Sequence, residues 1–243
     1  MPSPYKTRGI VLHHVKYGET SIVARIYTEK FGLQPYMIKG VRSRKARMPY
    51  LLFQPGTLLE MVVYRNEKRT LQHIREVRCE HFYLSVSQDI RKSVILLFLM
   101  DILSKTIHEE EPNQGLFDFI HRSLLNLDQI PESVANYHLV FLAQLARFLG
   151  FAPRNNYSGR FEYFNMNEGE FYAGKENPGM YMEPPLTPVF SELLRTGFEK
   201  MNTLSLSSSV RNELLGKILE YYGIHSPFIR DIKSHLILRE VFA

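Results

Sequence analysis

The fold of this chain is first visible in the stretch Gly9-Ile-Val-Leu-His-His-Val-Lys-Tyr-Gly-Glu-Thr-Ser-Ile-Val-Ala-Arg-Ile-Tyr-Thr28. Two runs rich in Val, Ile and Thr, residues 9–16 and 21–28, flank Tyr17-Gly-Glu-Thr20. β-Branched residues fit the pleated surface of a strand, and Gly accommodates the backbone of a tight turn. The stretch therefore predicts a β-hairpin.

Three more strand-like runs follow within the first 80 residues of the chain. They cover residues 33–39, 57–64 and 70–78, and the last two flank Arg65-Asn-Glu-Lys-Arg69, which is the signal of a second hairpin. Short strands of this number are typical of a small barrel, for which an OB-like fold is the most economical choice. An SH3-like barrel fits the same pattern.

After residue 80 the apolar residues recur at helical spacing. Ser207-Ser-Ser209 predicts a helix start and Gly223 a helix end. The predicted helices cover residues 87–108, 114–127, 132–149, 188–201, 209–222 and 227–240. Residues 151–185 interrupt this pattern and predict a β-hairpin at residues 160–172.

These patterns predict an α+β multidomain protein. We expect an OB-like five-stranded β-barrel at residues 1–80, followed by an all-α helical domain at residues 81–243 with the small β-hairpin inserted in it. The two parts differ in charge. Residues 1–80 hold 15 Lys and Arg against 6 Asp and Glu, a formal +9, whereas residues 81–243 hold 15 against 19, a formal −4. The positive field of the first part favours a polyanionic partner.

The strongest local signal is the segment Lys39-Gly-Val-Arg-Ser-Arg-Lys-Ala-Arg47, which holds five cations and no acid between two predicted strands. A loop of this kind gains affinity for nucleic acid by neutralising backbone phosphates, although charged loops often serve solubility alone. Aromatic side chains stack on the bases of single strands. Most aromatics of a small barrel belong to its core, and we favour Tyr36 and Tyr50 for stacking because they border the loop.

Candidate catalytic and metal-binding groups are few. His13 and His14 are adjacent on a predicted strand, so their side chains are expected on opposite faces. Glu109-Glu110-Glu111 is interpreted as a solvated helix end, and Cys79 as a free cysteine inside the fold. No phosphate-binding Gly-x-x-x-x-Gly-Lys-[Ser/Thr] motif occurs. We therefore expect no enzyme and no cofactor.

The expected compartment is the cytoplasm. The single cysteine excludes an internal disulfide, and the N-terminal residues lack the apolar core of a secretion signal. The longest unbroken apolar run, residues 94–100, covers seven residues, whereas a membrane span needs about 20. Without a basic amphipathic helix, a membrane partner is not expected.

The N-terminal part resembles the family of the bacterial DNA repair protein RecO. The resemblance rests on Gly9-Ile-Val-Leu-His-His-Val-Lys-Tyr-Gly-Glu-Thr20, Tyr27-Thr-Glu-Lys-Phe-Gly-Leu33, Lys39-Gly-Val-Arg42 and Leu52-Phe-Gln-Pro-Gly-Thr-Leu-Leu-Glu60. Together these segments cover most of residues 8–80. Farther on, Ala143-Gln-Leu-Ala-Arg-Phe-Leu-Gly-Phe-Ala-Pro153 is similar to the family's helix end before its inserted ribbon.

This resemblance implies an OB barrel and a helical domain that act in DNA repair, DNA damage responses and recombination. It implies binding of single- and double-stranded DNA, strand annealing, and work with RecR and the single-strand-binding protein in the cytoplasm at the nucleoid. Many members carry a four-cysteine zinc ribbon where this chain has no cysteine. We therefore expect no zinc and regard residues 151–185 as a metal-free remnant.

DNA contacts are expected from the basic loop first and from nearby strands and loops second. The loop residues are Lys39, Arg42, Arg44, Lys45 and Arg47, and the secondary candidates are Arg25, Lys30, Arg65, Lys68 and Arg69. We also hypothesise that the helical domain docks proteins through an apolar pocket ringed by Arg or Lys that accepts the C-terminal tail of the single-strand-binding protein. The alternative is a non-catalytic adaptor that docks repair or RNA-processing proteins, with the barrel binding RNA.

Overall fold

The structure is a computed structural model that describes residues 4–43, 47–131, 133–175, 180–226, 229 and 232–243. Its strands are β1 (Pro4–Tyr17), β2 (Ser21–Thr28), β3 (Gly32–Ile38), β4 (Leu58–Tyr64), β5 (His73–Cys79), β6 (Tyr163–Asn165), β7 (Glu170–Tyr172) and β8 (Tyr181–Met182). Its α-helices are α1 (Ile90–Thr106), α2 (Gln114–Gln129), α3 (Tyr137–Phe148), α4 (Leu186–Arg195), α5 (Ser208–His225) and α6 (Ser234–Val241). Two 3₁₀ turns cover Tyr50–Phe53 and Phe198–Thr203.

The first five strands form an antiparallel sheet in the order β3-β2-β1-β4-β5. Strand β1 pairs with β4 through its first half and with β2 through its second half, with an irregularity between Val11 and His13. The sheet closes where the Met37 amide donates to Gln72 O at 3.0 Å and the Gln72 amide donates to Pro35 O at 2.9 Å. The predicted OB-like five-stranded barrel and both of its hairpins are confirmed.

The barrel interior is filled by the alternate residues of its strands. Ile22, Ala24 and Ile26 of β2 are fully buried, as are Val11 of β1 and Leu59 of β4. Side chains of a strand alternate between its two faces, so burial of this set turns Ser21, Val23 and Arg25 outward. The period of two that is visible in the sequence therefore fixes which residues line the outer surface.

Within the described residues, the helices agree with the predicted ones in number but not at every boundary. Ser207 caps α5 by accepting a hydrogen bond from the Val210 amide at 3.3 Å, as the serine run predicts. Gly223 does not end α5, because the chain stays helical to His225. The helix predicted at residues 188–201 is too long: α4 ends at Arg195, where Thr196 becomes extended, and a 3₁₀ turn follows Gly197. The helix predicted from residue 132 begins only at Tyr137.

The inserted hairpin is confirmed as β6 and β7, whose register pairs Phe164 with Phe171. Strand β8, which pairs with β6, escapes prediction because two residues carry too little periodicity to be recognised. The chain as a whole divides into two compact units. One comprises Met1–Asp89 with Leu99–Gln129, and the other Ile90–Phe98 with Ile130–Ala243. The domain boundary predicted at residue 80 stays a prediction.

In the first unit, Asp128 of α2 holds the segment that follows β5. Its carboxylate accepts hydrogen bonds from the Ser85 amide at 2.8 Å and the Val86 amide at 2.9 Å, and lies 2.9 Å from His81 Nε2. Burial by itself raises the pKa of Asp128, but these hydrogen bonds outweigh it and hold the pKa at about 2. The carboxylate therefore stays ionised and fixes the segment against the helix.

Candidate nucleic-acid interface

The outer surface of β1, β2 and β3 forms a continuous strip, which we call the open face. The register pairs Tyr17 with Ser21, Val15 with Val23, and His13 with Arg25. On the other side of β2, Met37 lies opposite Val23, and Pro35 lies opposite Arg25. Paired residues on one side of a sheet have neighbouring side chains. Four residues of strand separate the Tyr17 level from the His13 level, so the strip is about 13 Å long.

The upper end of the open face is a cleft of about 800 Å³ between the β1–β2 turn, the end of β3 and the β4–β5 loop. Lys39 and Arg69 line it together with Tyr17, whose side chain is 57% exposed. Gly40 has φ +65°, a left-handed conformation that lets the chain turn away from β3 directly after Lys39. Two cations and an exposed aromatic ring are thus brought together from three separate loops.

The lower end of the open face is a smaller pocket of about 240 Å³. Its lining includes His13, Arg25, and Asp101, Ser104 and Lys105 of α1. Lys105 Nζ lies 2.9 Å from Asp101 Oδ1. Burial lowers the pKa of His13, and the nearby His14 and Arg25 lower it further. The imidazole is therefore neutral at pH 7.

Four cations of the open face, unlike Lys105, have no acidic partner among the described residues. Lys39, Arg42 and Arg69 are exposed, and Arg25 is exposed on β2. Within the part of the chain that the structure describes, none of these four side chains forms an ion pair. Cations without an acidic partner keep their full positive charge available to a polyanion.

A second basic surface lies on the outer side of β1, β4 and β5, and we call it the paired face. It includes Lys6, Arg8, Glu60, Glu76 and Arg78 around a groove of about 650 Å³. Arg8 Nη2 lies 2.8 Å from Glu29 Oε1 and 3.3 Å from Asp118 Oδ1. The bond with Arg8 lowers the pKa of Glu29 and raises that of Arg8, so both stay charged.

Two arginines of β5 are also matched. Arg78 forms an ion pair with Glu60, and Arg75 Nε lies 3.2 Å from Glu76 Oε1. These pairs are exposed and add little stability, but they cancel the positive charge locally. The two faces of one barrel therefore differ in electrostatic character, although both contain arginines.

The structure brings only some of the predicted DNA contacts together. Lys39, Arg69 and Arg25 lie on the open face, and the Arg42 amide donates to Thr20 O at 3.0 Å beside it. Arg47 is exposed on the loop, whereas Arg44 and Lys45 lie outside the described residues.

Three secondary candidates lie elsewhere on the barrel. Lys30 lines the groove of the paired face. The Arg65 guanidinium lies 5.0 Å from the ring centre of Phe31 and 4.0 Å from Glu67 Oε1. Lys68 is exposed on the β4–β5 loop but does not line the cleft formed by Lys39 and Arg69. Their assignment as DNA contacts stays a prediction.

The aromatic side chains are arranged differently from the prediction. Tyr36 is 1% exposed and belongs to the barrel core, because its position on β3 faces inward, so it is unavailable for stacking. Tyr50 is half-buried, with its hydroxyl 2.7 Å from His14 Nε2. Tyr17 is the exposed ring on the open face, and sequence reasoning missed it. The strand period, which places Tyr17 with His13 and Val15, is the signal that could have found it.

The other sequence candidates lie in unremarkable surroundings. Cys79 Sγ donates to His81 O at 3.1 Å, and burial raises the pKa of its thiol, which is the opposite of activation. Within the described ranges, no three His, Cys, Asp or Glu side chains are grouped as metal ligands would be. None of the helices in the described part of the chain combines the length and apolarity that a membrane crossing requires.

The fold and this surface define a class: an OB-barrel protein with one unpaired basic face, continued by a helical region that carries a small three-stranded sheet. Two family models match the chain. The model described as "Recombination protein O N terminal" matches residues 1–83, and that described as "Recombination protein O C terminal" matches residues 87–228.

Similar proteins that the chain matches over nearly their whole length are named "DNA repair protein RecO". The "DNA repair protein RecO" of Bacteroides fragilis is 35% identical over 238 residues, which cover 98% of both chains. That of Flavobacterium psychrophilum is 33% identical over 98% of this chain and 99% of its own. The chain belongs to the RecO family, and its field of action is therefore bacterial DNA repair and recombination.

Proposed function

We propose that this protein is a recombination mediator that binds single- and double-stranded DNA and anneals complementary strands. The observation that carries the proposal is the open face, where Lys39, Arg69 and Arg25 form no ion pair with any described residue and Tyr17 exposes an aromatic ring. A positive groove beside stacking rings is the common arrangement of proteins that hold single strands without sequence preference. Family membership supports the same assignment.

The proposed mechanism is electrostatic. Cations of the open face and of the loop at residues 39–47 neutralise phosphates of one strand and reduce its repulsion of a second. Contacts to phosphates leave the base edges free, so complementary bases can pair while the backbone is held. No covalent bond is made or broken, and the protein acts as a mediator rather than as an enzyme.

RecR and the single-strand-binding protein are the proposed partners at the nucleoid. The helical region is the proposed site for the C-terminal tail of the single-strand-binding protein, and no residues are assigned to that contact. The paired face of the barrel is a poorer candidate for this DNA function, because Arg8 and Arg78 on it already have acidic partners.

Strand annealing is the test of this function. Labelled complementary oligonucleotides are mixed with wild type and with the triple reversal Arg42→Glu, Arg44→Glu and Arg47→Glu across a salt series. We expect the reversal to abolish the acceleration of strand annealing by the protein. The salt dependence of DNA binding should also become flatter, by roughly 0.7 in log–log slope for each lost phosphate contact. Annealing at the wild-type rate would instead favour the adaptor interpretation.

The matched control removes the same number of arginines from the helical region. Arg122, Arg160 and Arg195 are exposed, and their reversal to Glu changes the net charge by the same amount as the loop variant. We expect this control to anneal nearly as fast as wild type. Shortened oligonucleotide products in the presence of divalent metal would contradict the non-enzymatic mechanism.

A further inference from the structure

The open face is open at one end and closed at the other. Moving down β2, the outward residues Ser21, Val23 and Arg25 are accessible, but Tyr27 is only 1% exposed. The Tyr27 ring lies against Phe117, with ring centres 6.1 Å apart, and its hydroxyl donates to Asn113 O at 3.4 Å. The chain that connects α1 to α2, together with α2 itself, therefore covers the strip directly below Arg25.

Strand β3 is covered in the same way. The Leu33 amide donates to Glu109 O at 3.0 Å, and Leu33 is 3% exposed. A methyl group added at Gly32 would overlap Glu111 O, so the two backbones are in direct contact. A single strand that follows the open face from the Tyr17 end cannot continue beyond Arg25 in the same direction.

Negative charge also blocks the lower end of the open face. Glu109, Glu110 and Glu111 are consecutive and exposed just below the strip. Their carboxylates would repel any phosphate that continued past the pocket. The lower end of the open face is therefore closed by a barrier that is both steric and electrostatic.

The closed end is nonetheless built for a negative group. The pocket of about 240 Å³ is lined by Arg25, Lys105, Ser104 and His13, and also by Asp101, to whose backbone O the Ser104 hydroxyl donates at 2.9 Å. Within the described residues Arg25 forms no ion pair, while Lys105 shares its charge with Asp101. A planar guanidinium suits a phosphate that offers two oxygens at once.

We propose that this pocket binds the terminal phosphate of a DNA strand whose last nucleotides lie along the open face. A terminal phosphate monoester fits better than an internal diester for two reasons. It carries about −1.5 to −2 charges at pH 7, and it needs no exit for a continuing chain. The inference rests on the proposed function, because the strand must first occupy the open face.

The experiment compares oligonucleotides of one sequence and about ten nucleotides, a length within the range that one OB fold covers. They end in a 5′-phosphate, a 3′-phosphate or hydroxyls only, and a circular single strand has no end. Affinity is measured by fluorescence anisotropy or by competition at fixed salt. We expect wild type to bind one phosphate-ended form about tenfold more tightly than the hydroxyl-ended form, and the circle no better than the latter.

Single-residue variants test whether the preference for a phosphate-ended strand arises in this pocket. Arg25→Gln and, separately, Ser104→Ala are expected to bring the ratio of phosphate-ended to hydroxyl-ended affinity close to one. Arg122→Gln, which removes an exposed arginine from α2, is the control and is expected to keep the ratio. The ratio is internal to each variant, so a general loss of affinity does not imitate the result.

The outcomes separate this inference from the proposed function. Equal affinity of wild type for phosphate and hydroxyl ends, with binding that still depends on salt and on Lys39, overturns the terminal-phosphate pocket and leaves DNA binding in place. A tenfold preference that survives both Arg25→Gln and Ser104→Ala overturns the assignment to this pocket. Failure of wild type to bind any of the oligonucleotides refutes both proposals.

Discussion

The open face and the paired face belong to one barrel and both carry arginines and lysines, yet they differ in how those charges are matched. On the paired face, Arg8 is held by Glu29 and Asp118, and Arg78 by Glu60. On the open face, Arg25, Lys39 and Arg69 form no ion pair within the part of the chain that the structure describes. A count of cations therefore does not distinguish the two faces, whereas the fraction of cations without acidic partners does.

The largest expected effect comes from removing charge on one face at a time. The triple variant Arg25→Gln, Lys39→Gln and Arg69→Gln should weaken single-strand binding on the order of 100-fold, from roughly 1 kcal/mol for each lost charge-assisted contact. The matched variant Lys6→Gln, Arg75→Gln and Arg78→Gln should stay within about twofold, because two of its three cations already have acidic partners. Anisotropy titrations measure both. Equal losses of single-strand affinity in the two triple variants would contradict the distinction between the faces.

The next effect concerns stacking on the open face. Tyr17→Ala should weaken single-strand binding about tenfold, within the range measured for the loss of one stacked base. Tyr17→Phe keeps the ring and should bind nearly as wild type. Tyr5→Ala is the control, since Tyr5 is 44% exposed but packs edge-on against Phe31, at the barrel end where β1 begins. A loss with Tyr5→Ala that equals that of Tyr17→Ala would contradict the assignment.

A smaller effect is expected when substitutions convert the paired face into a second DNA-binding surface. Glu60→Gln with Glu76→Gln releases Arg78 and Arg75 from their carboxylates. We expect affinity for double-stranded DNA to rise about threefold with a steeper salt dependence, because each new phosphate contact adds about 0.9 to the slope. Glu162→Gln with Glu168→Gln alters net charge equally at exposed sites of the hairpin region and serves as the control. An equal gain in both variants would indicate net charge alone.

The smallest effect is a pH dependence specific to the open face. The pKa of His13 is lowered by burial and by the charges of His14 and Arg25, against the opposing influence of Asp101. His13 is therefore uncharged at pH 7 and gains its proton at a lower pH than an ordinary histidine. Single-strand affinity should rise about twofold more between pH 7 and pH 5 in wild type than in His13→Gln. Identical pH profiles would show that His13 does not face the bound strand.

Much of the fold could be predicted because its signals are local. The hairpins around Tyr17-Gly-Glu-Thr20 and Arg65–Arg69 follow from β-branched runs that flank turn residues, and the Ser207 cap follows from a serine before a helical run. The errors are local too. The sequence predicts that Gly223 stops α5, but tertiary packing of Tyr221 and Tyr222, both nearly fully buried, continues the helix past the glycine.

The site was predictable only in part. Lys39 and Arg42 are conspicuous in the sequence because they belong to one dense run, whereas Arg69 and Arg25 reach the same surface from other strands and loops. The sequence favours Tyr36 over Tyr17 because Tyr36 borders the basic loop. Adjacency in sequence, however, says nothing about which side of the barrel wall a ring occupies, and Tyr36 lies inside.

The sequence by itself determined the class of fold, the positions of the five barrel strands and the presence of a basic loop, because periodicity, turn residues and charge density are properties of neighbours along the chain. Only the tertiary structure decided which cations stay available. The partners that cancel Arg8 are 21 and 110 residues away, and the wall that closes the open face comes from the segment before α2. Electrostatic matching acts through space, so it emerges only when distant segments are brought within a few ångströms.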